Sequence, residues 1–345
     1  MIHGGDVISY SDKYSGKIID FSSNINPLGP PENLKEEMDR AYSELTAYPD
    51  IHYRELKSNI ASYLKCSSSE VIAGSGALEI INNICLMFKR IVVFTPCFSE
   101  YMKRPKIFGI EVIKLPLGEY FKINIEEIES NLKRDDLLIL GNPNNPTGLR
   151  IPEDTLKQIY EIVIKRKAFL LLDEAFFEFC PPDYDSVKLF EGMDNVCIIR
   201  AATKFFALPG IRLGYAVASS CFVKKYDEVQ SPWSVNSYAN AAARCIFSDN
   251  NYIKNTKQYI KAEREYLKEE LSQIKWIKVY KSDADFMLIK LLKYDEDILF
   301  DEFIKQGIMI RKASNFEGLD KSYIRVAVKD HENNSKLAGL FKNFK

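Results

Sequence analysis

Between residues 71 and 219 the chain alternates two kinds of segment. Short apolar, β-branched runs recur as VIAGSG (71–76), RIVVFTP (90–96), IEVIKLPL (110–117), LLILGNP (137–143), AFLLLDEA (168–175), VCIIRAAT (196–203) and RLGYAVAS (212–219). Several of the stretches between them carry helical periodicity and capping signals. IPEDTLKQIYEIVIKRK (151–167) has Pro152 near its start and basic residues near its end, as an amphipathic helix would. Near-continuous apolar strands alternating with helices predict an α/β fold with a mostly parallel sheet covered on both faces.

The pattern changes after about residue 245. Residues 250–274 read as one long amphipathic helix. WIKVYKSDADFMLIKL, GIMIRKAS and YIRVAVK follow as strands of a smaller sheet. Near the other end, NINPLGPPENLKEEM reads as an extended segment turning into a helix. The expected organisation is a large domain over residues 41–245 and a smaller α+β domain built from both ends, 1–40 and 246–345. There is no internal repeat and no low-complexity segment.

The 345 residues are enough for two packed domains. Charge narrows the partners: 47 basic and 48 acidic residues leave no basic excess to offset nucleic-acid or lipid phosphates. No apolar run is long enough to span a bilayer, and MIHGGDVISYSDK lacks a signal-peptide core, so a cytoplasmic protein is expected. Seven widely spaced cysteines without a C-x-x-C read as reduced thiols, and three scattered histidines give a metal site little to build on.

The Gly-, Asn- and Pro-rich motifs fall at the carboxyl ends of strands, where open α/β sheets bind ligands. AGSGALEII turns from a strand into a helix. Gly74, Ser75 and Gly76 could bring backbone amides to a phosphate, or could only make a tight turn. It is neither a Walker A loop nor a complete G-x-G-x-x-G. NPNNPTG places Asn145 in a turn, as a hydrogen-bond donor or as a turn former. Asp173 ends the apolar strand LLLD, where a buried carboxylate needs a cation. Lys204 and Arg212 stand in the apolar stretch RAATKFFALPGIRLGY. A desolvated lysine becomes a nucleophile toward carbonyls, and a guanidinium fork suits phosphate oxygens. Alone, each is equally a snorkelling lysine or a structural ion pair. In this order they describe one ligand: a phosphate, a carbonyl carbon and a protonated pyridine nitrogen.

With these motifs the chain resembles, over its whole length, the fold-type I pyridoxal-phosphate enzymes of aminotransferase class I/II. The resemblance implies a three-layer large domain with a mostly parallel seven-stranded sheet, a smaller α+β domain, and pyridoxal 5′-phosphate as cofactor. It implies that Lys204 forms the internal Schiff base, Asp173 pairs with the pyridine nitrogen and Asn145 bonds the 3-oxygen. Gly74, Ser75, Gly76 and Arg212, with Thr203 beside the lysine, would hold the cofactor. Phe98 or Tyr101 of TPCFSEY would stack on the ring, and motif position favours Phe98. Tyr48 of AYPD would reach the phosphate in a neighbouring subunit, which implies a homodimer with shared sites. Arg325 of YIRVAV would bind the substrate α-carboxylate.

Two positions depart from the family pattern. Ala201 stands three residues before the lysine, where a Ser or Thr usually donates to the cofactor phosphate; one such hydrogen bond is worth about 1.5–3 kcal/mol. Phe176 stands where many relatives carry a tyrosine. HGG (3–5), DFSSNINPLGPP (20–31), YPD (48–50), DEAFFEF (173–179), PWSVN (232–236) and IRKASNFEGLD (310–320) resemble the subgroup that decarboxylates L-threonine O-3-phosphate in cobalamin biosynthesis. Phe176 fits that subgroup. The substrate phosphate would then meet His3 and Arg311, with donors around Asn24 to Asn26, and Trp233 and Asn236 would line the pocket. Histidinol-phosphate aminotransferase shares the core motifs and is the alternative. A catalytically degenerate ligand-binding protein is the more distant one, favoured only by Ala201.

Overall fold

The predicted runs become the strands of a seven-stranded sheet in the computed structural model, which describes residues 3–344. After a two-residue strand β1 (Ile19–Asp20), the chain forms β2 (Val71–Ser75), β3 (Arg90–Thr95), β4 (Glu111–Pro116), β5 (Leu137–Gly141), β6 (Phe169–Asp173), β7 (Val196–Ala201) and β8 (Leu213–Ala218). Their order across the sheet is β2-β8-β7-β6-β5-β3-β4. All neighbours run parallel except β8, which is antiparallel to both β2 and β7.

The exception has a local cause. A parallel return needs a crossover of a dozen or more residues, usually with a full helix. Only residues 202–212, with the four-residue helix Ala202–Phe205, separate β7 from β8. The chain therefore turns straight back, and this short turn carries both Lys204 and Arg212 to the carboxyl edge of β5, β6 and β7.

Both faces of the sheet are covered, as the strand pattern predicts. Leu137, Ile139, Leu171 and Cys197 pack into one buried cluster, while Leu138, Leu140, Leu170, Leu172 and Ile198 pack into the other. The helix expected over 151–167 spans Glu153–Arg166 and buries Leu156, Ile159 and Val163 on the second face.

The C-terminal third builds a four-stranded antiparallel sheet from β9 (Ile277–Val279), β10 (Phe286–Leu291), β12 (Arg311–Lys312) and β13 (Tyr323–Ala327), in the order β12-β13-β10-β9. The run GIMIRKAS is divided rather than one strand. Its first part, β11 (Ile308–Met309), pairs in parallel with β1, and the chain changes partner at the buried Ile310. Residues from near the two ends of the chain are thus hydrogen bonded, with the Phe21 amide donating to the Met309 carbonyl at 2.8 Å. The long helix spans Asn250–Ser272, two residues short of its expected end, and Asp249 caps its start. It buries Ile260, Leu267 and Leu271 in the core that joins this region to the large sheet. Among the described residues no helix is long and apolar enough to cross a membrane, and all seven cysteines are free.

Candidate active site

At the carboxyl ends of β6 and β7 lies a cleft of about 270 Å³. The large sheet forms its floor, and residues of the N- and C-terminal segments, among them Ser22, Arg311 and Arg325, form the facing wall. A mostly apolar cavity of about 350 Å³ lies against Asn144 and Leu149 of the same NPNNPTGL turn. The smaller cleft is the one on which the predicted charged groups converge.

Asp173 closes β6 and is buried. The Tyr101 hydroxyl donates to its Oδ2 at 2.6 Å and the Ala175 amide to its Oδ1 at 3.0 Å. Burial raises its pKa, and those two donors oppose the rise. No cationic side chain pairs with it among the described residues, so a buried carboxylate faces the cleft without a counter-charge.

Lys204 stands on the short helix after β7, its carbonyl fixed by the Asn26 amide at 3.1 Å. No hydrogen-bond acceptor meets its Nζ among the described residues, and the Phe176 ring lies 6.0 Å away. Burial lowers its pKa; Arg325 and Lys329 lower it further, while Asp285 and Asp20 oppose them. The result is an amine that ionises less readily than a surface lysine.

Arg325 sits centrally on β13. It donates to the Asn145 Oδ1 and, at 2.7 Å, to the Ser22 carbonyl, and its side chain packs over the Phe286 ring. Its buried Nε has no hydrogen-bond partner among the described residues. Burial and the neighbouring Arg311 lower its pKa, yet a guanidinium stays charged in proteins. Because Arg325 engages the Asn145 oxygen, the Asn145 amide nitrogen is left as a donor. Arg311, on β12, is buried beside the Phe316 ring with Asn315 bonded to it at 2.8 Å. His3 pairs with Glu100 at 3.2 Å and lies against Phe98. The buried Asn24 leaves its Oδ1 without a hydrogen-bond partner among the described residues. Thr203 and Ala201 also line the cleft.

Arg212 adopts a left-handed backbone, φ 61°, unusual for a residue with a side chain. Among the described residues its guanidinium reaches only the Ser75 and Pro209 carbonyls, both at 3.5 Å. A Cβ on Gly76 would come within 2.3 Å of it, and a Cβ on Gly214 would strike the backbone of Gly76 and Ala77. Both glycines are therefore required for this close approach.

Several expectations need correction. Gly74 and Ser75 do not face the cleft: Gly74 lies inside β2, and the Ser75 amide donates to Glu79 at 2.5 Å. Ala77 and Leu78, on the first turn of helix Ala77–Leu86, line it instead. Asn26 points into the protein, its amide bonded to Phe205, Tyr252 and Thr256. Asn236 caps helix Ser237–Cys245 and bonds the Ile211 carbonyl. Trp233 does not line this cleft; it is 42% exposed and its ring meets that of the exposed Tyr48 at 4.7 Å. Of the two candidate stacking residues, Tyr101 is committed to Asp173, which leaves Phe98. The reading of the sequence also missed Asp285, the acid immediately before β10, whose side chain is fully buried. Its one signal was an Asp set against the apolar run FMLI.

The sequence profile described as "Aminotransferase class I and II" matches residues 16–341. A protein of Caldanaerobacter subterraneus subsp. tengcongensis, provisionally named threonine-phosphate decarboxylase, is 40% identical over 99% of this chain and 94% of its own length. The threonine-phosphate decarboxylase of Salmonella typhimurium is 30% identical over 99% of this chain and 96% of its own. The crystal structure of the histidinol-phosphate aminotransferase from Clostridium acetobutylicum superposes with a TM-score of 0.89 at 37% identity, covering 93% of this chain and 97% of that one.

The cleft fits the cofactor of that family. It presents a buried carboxylate without a counter-charge, an amine whose pKa burial lowers, and an arginine beside a helix N-terminus, groups suited to the ring nitrogen, the carbonyl and the phosphate of pyridoxal phosphate.

Proposed function

The chain belongs to the aminotransferase class I and II family and is a pyridoxal-phosphate enzyme; within that family, we propose that it decarboxylates L-threonine O-3-phosphate to (R)-1-amino-2-propanol phosphate, in cobalamin biosynthesis. The observation that carries this reading is the pair of buried guanidiniums, Arg325 and Arg311, on the wall opposite Lys204. Together with Arg212 they give the cleft three strong anion-binding groups. The cofactor's phosphate takes one; a substrate with both a carboxylate and a phosphate takes the other two. The relatives that share nearly the full length of the chain support the same substrate.

In this reading Lys204 holds the cofactor's carbonyl carbon, Asp173 its ring nitrogen, and the Asn145 amide its 3-oxygen. Phe98 covers one face. Arg212 and the first turn of helix Ala77–Leu86 take its phosphate. When bound, the cofactor's protonated ring draws off the electron pair that departing carbon dioxide leaves on Cα. Arg325 orients the carboxylate, held rigid by Asn145 and Ser22. Arg311, with His3 and Asn24, takes the substrate phosphate. His3 and Gly4 of the N-terminal segment line the cleft beside this phosphate position. A homodimer in the cytoplasm completes the reading, with the exposed Tyr48 reaching the second subunit's site.

The likeness to a histidinol-phosphate aminotransferase favours amino transfer as the second reading. Purified holoenzyme given threonine phosphate alone is expected to release carbon dioxide. Glutamate formed from 2-oxoglutarate and histidinol phosphate, with no carbon dioxide in the first assay, would decide for the aminotransferase.

A further inference from the structure

The two buried guanidiniums on the cleft wall stand directly opposite each other: Arg311 on β12 and Arg325 on β13 are cross-strand partners. Their side chains therefore share one face of the small sheet, and both line the cleft. Like charges in that position repel, so each must be held where a ligand can use it. The fold holds both in the same way, with a neutral asparagine oxygen. Asn145 Oδ1 accepts from Arg325, and Asn315 Oδ1 accepts from Nη2 of Arg311 at 2.8 Å. An amide oxygen orients a guanidinium without cancelling its charge, whereas a carboxylate would compete with an anionic ligand for it.

Asn315 is exposed and stands third in the turn Ala313–Phe316, which closes with the Phe316 amide donating to the Ala313 carbonyl at 3.0 Å. One buried acid pins that turn. Glu296, the first residue of helix Glu296–Ile304, accepts from the Ala313 amide at 2.6 Å, the Ser314 amide at 3.0 Å and the Ser314 hydroxyl. The turn's last residue, Phe316, sets its ring 5.1 Å from the Arg311 guanidinium carbon. Asn315 and Phe316 thus fix one guanidinium from two sides, and Glu296 fixes the turn that carries them. Arg311 and Phe316 line the cleft, while Asn315 and Glu296 stand outside its lining.

We propose that Asn315 is a positioning residue that fixes the Arg311 guanidinium for the substrate phosphate, with Glu296 pinning the turn that carries it, and that together they set the preference for a phosphorylated amino acid. This rests on the reading in which Arg311 meets the substrate phosphate. Neither residue takes part in making or breaking a bond. Both act on recognition, through Arg311, and leave the reacting carbon alone.

The test follows carbon dioxide release by the holoenzyme. Asn315→Ala should raise KM for threonine phosphate roughly tenfold and change kcat by less than about twofold, because one charge-assisted hydrogen bond that orients Arg311 is lost. Asn315→Asp keeps an acceptor but adds a negative charge beside the phosphate, so KM should rise at least as far. Glu296→Gln weakens the pin and should raise KM by less. It should add little in the Asn315→Ala background, since both residues act through one guanidinium. Position 315 is exposed, so its variants should melt with the wild type, and a thermal melt confirms that they are folded. An unchanged KM in folded N315A or N315D, or a fall in kcat with no rise in KM, overturns the proposal.

Arg311→Ala separates the proposal from the reading beneath it. A raised KM in R311A with an unchanged KM in N315A removes the positioning role alone. An unchanged KM in R311A shows that Arg311 does not meet the phosphate, and both fall. A wild type that releases no carbon dioxide but transfers the amino group of histidinol phosphate refutes the decarboxylase reading only, and KM for histidinol phosphate in the same variants then judges Asn315.

Discussion

Arg200 and Lys204 are four residues apart at the end of one strand, and both carry charge out of water. Arg200 is fully committed. Its guanidinium donates twice to Glu174 at 3.1 Å and to Asp185 at 2.8 Å, and stacks over Phe177. Lys204 has no hydrogen bond at its Nζ among the described residues. The two positions read alike in the sequence, a cation in an apolar run. What separates them is whether the fold supplies the counter-charge or leaves it to a ligand. A buried ion with its partners in place belongs to the architecture, and one without them marks where something must bind.

The contrast breaks most sharply at Lys204. Lys204→Ala should lower turnover with threonine phosphate by ~10⁴-fold or more, since it removes both the attachment point and a proton-transfer group. The melting temperature of the cofactor-free chain should not fall, because an unpaired buried amine contributes no stability. A drop in the melt would mean Lys204 is structural after all.

Arg200→Ala should do the reverse. Breaking a buried pair strands Glu174, at a cost of roughly 3–5 kcal/mol in urea unfolding. Adding Glu174→Gln should recover part of that loss, and the folded fraction should keep its KM.

Ala201, between the two cations, offers a gain rather than a loss. Ala201→Ser restores a hydroxyl facing the cleft, and the dissociation constant for pyridoxal phosphate should tighten by roughly ten- to a hundredfold, the worth of one charge-assisted hydrogen bond. Equilibrium dialysis measures it; no change would place the hydroxyl out of reach of the phosphate.

The smallest effect belongs to Tyr101. Its hydroxyl lowers the Asp173 pKa against the rise that burial causes. In the proposed site Asp173 would pair with the ring nitrogen as a carboxylate, so cofactor affinity should be lost as pH falls through the Asp173 pKa. Tyr101→Phe raises that pKa further and should move the acid-side loss upward by less than about 1 pH unit.

Much of this was legible in the sequence because it is local. Strands buried on both faces announce themselves as apolar runs, and Asp173, Lys204 and Arg212 stand out against such runs. Asn145 followed from motif order, and Arg325 from the family resemblance alone. The residues that misled are those whose role depends on what lies across space. Asn26 and Asn236 were polar residues in suggestive motifs, yet they tie helices to neighbouring loops. Gly74 and Ser75 lie in the strand, three and two residues before Ala77, where the cleft lining begins. Asp285 escaped because nothing in SDADF says that the fold will leave its carboxyl bare. Trp233 and Tyr48 meet each other on the surface, a pairing across 185 positions that no local pattern encodes.

The pairing of β1 with β11 also sets an order of events in the cell. Arg325 is anchored on Ser22 and Asn145, and residues 19–20 have no strand partner until residue 308 has been made. The large sheet, complete by residue 218, can collapse while the ribosome is still working. A nascent chain at that stage would carry Lys204 and Asp173 on the sheet with no wall above them. On the proposed roles, the groups expected to recognise substrate, Arg311 and Arg325, would join the site only near the end of translation.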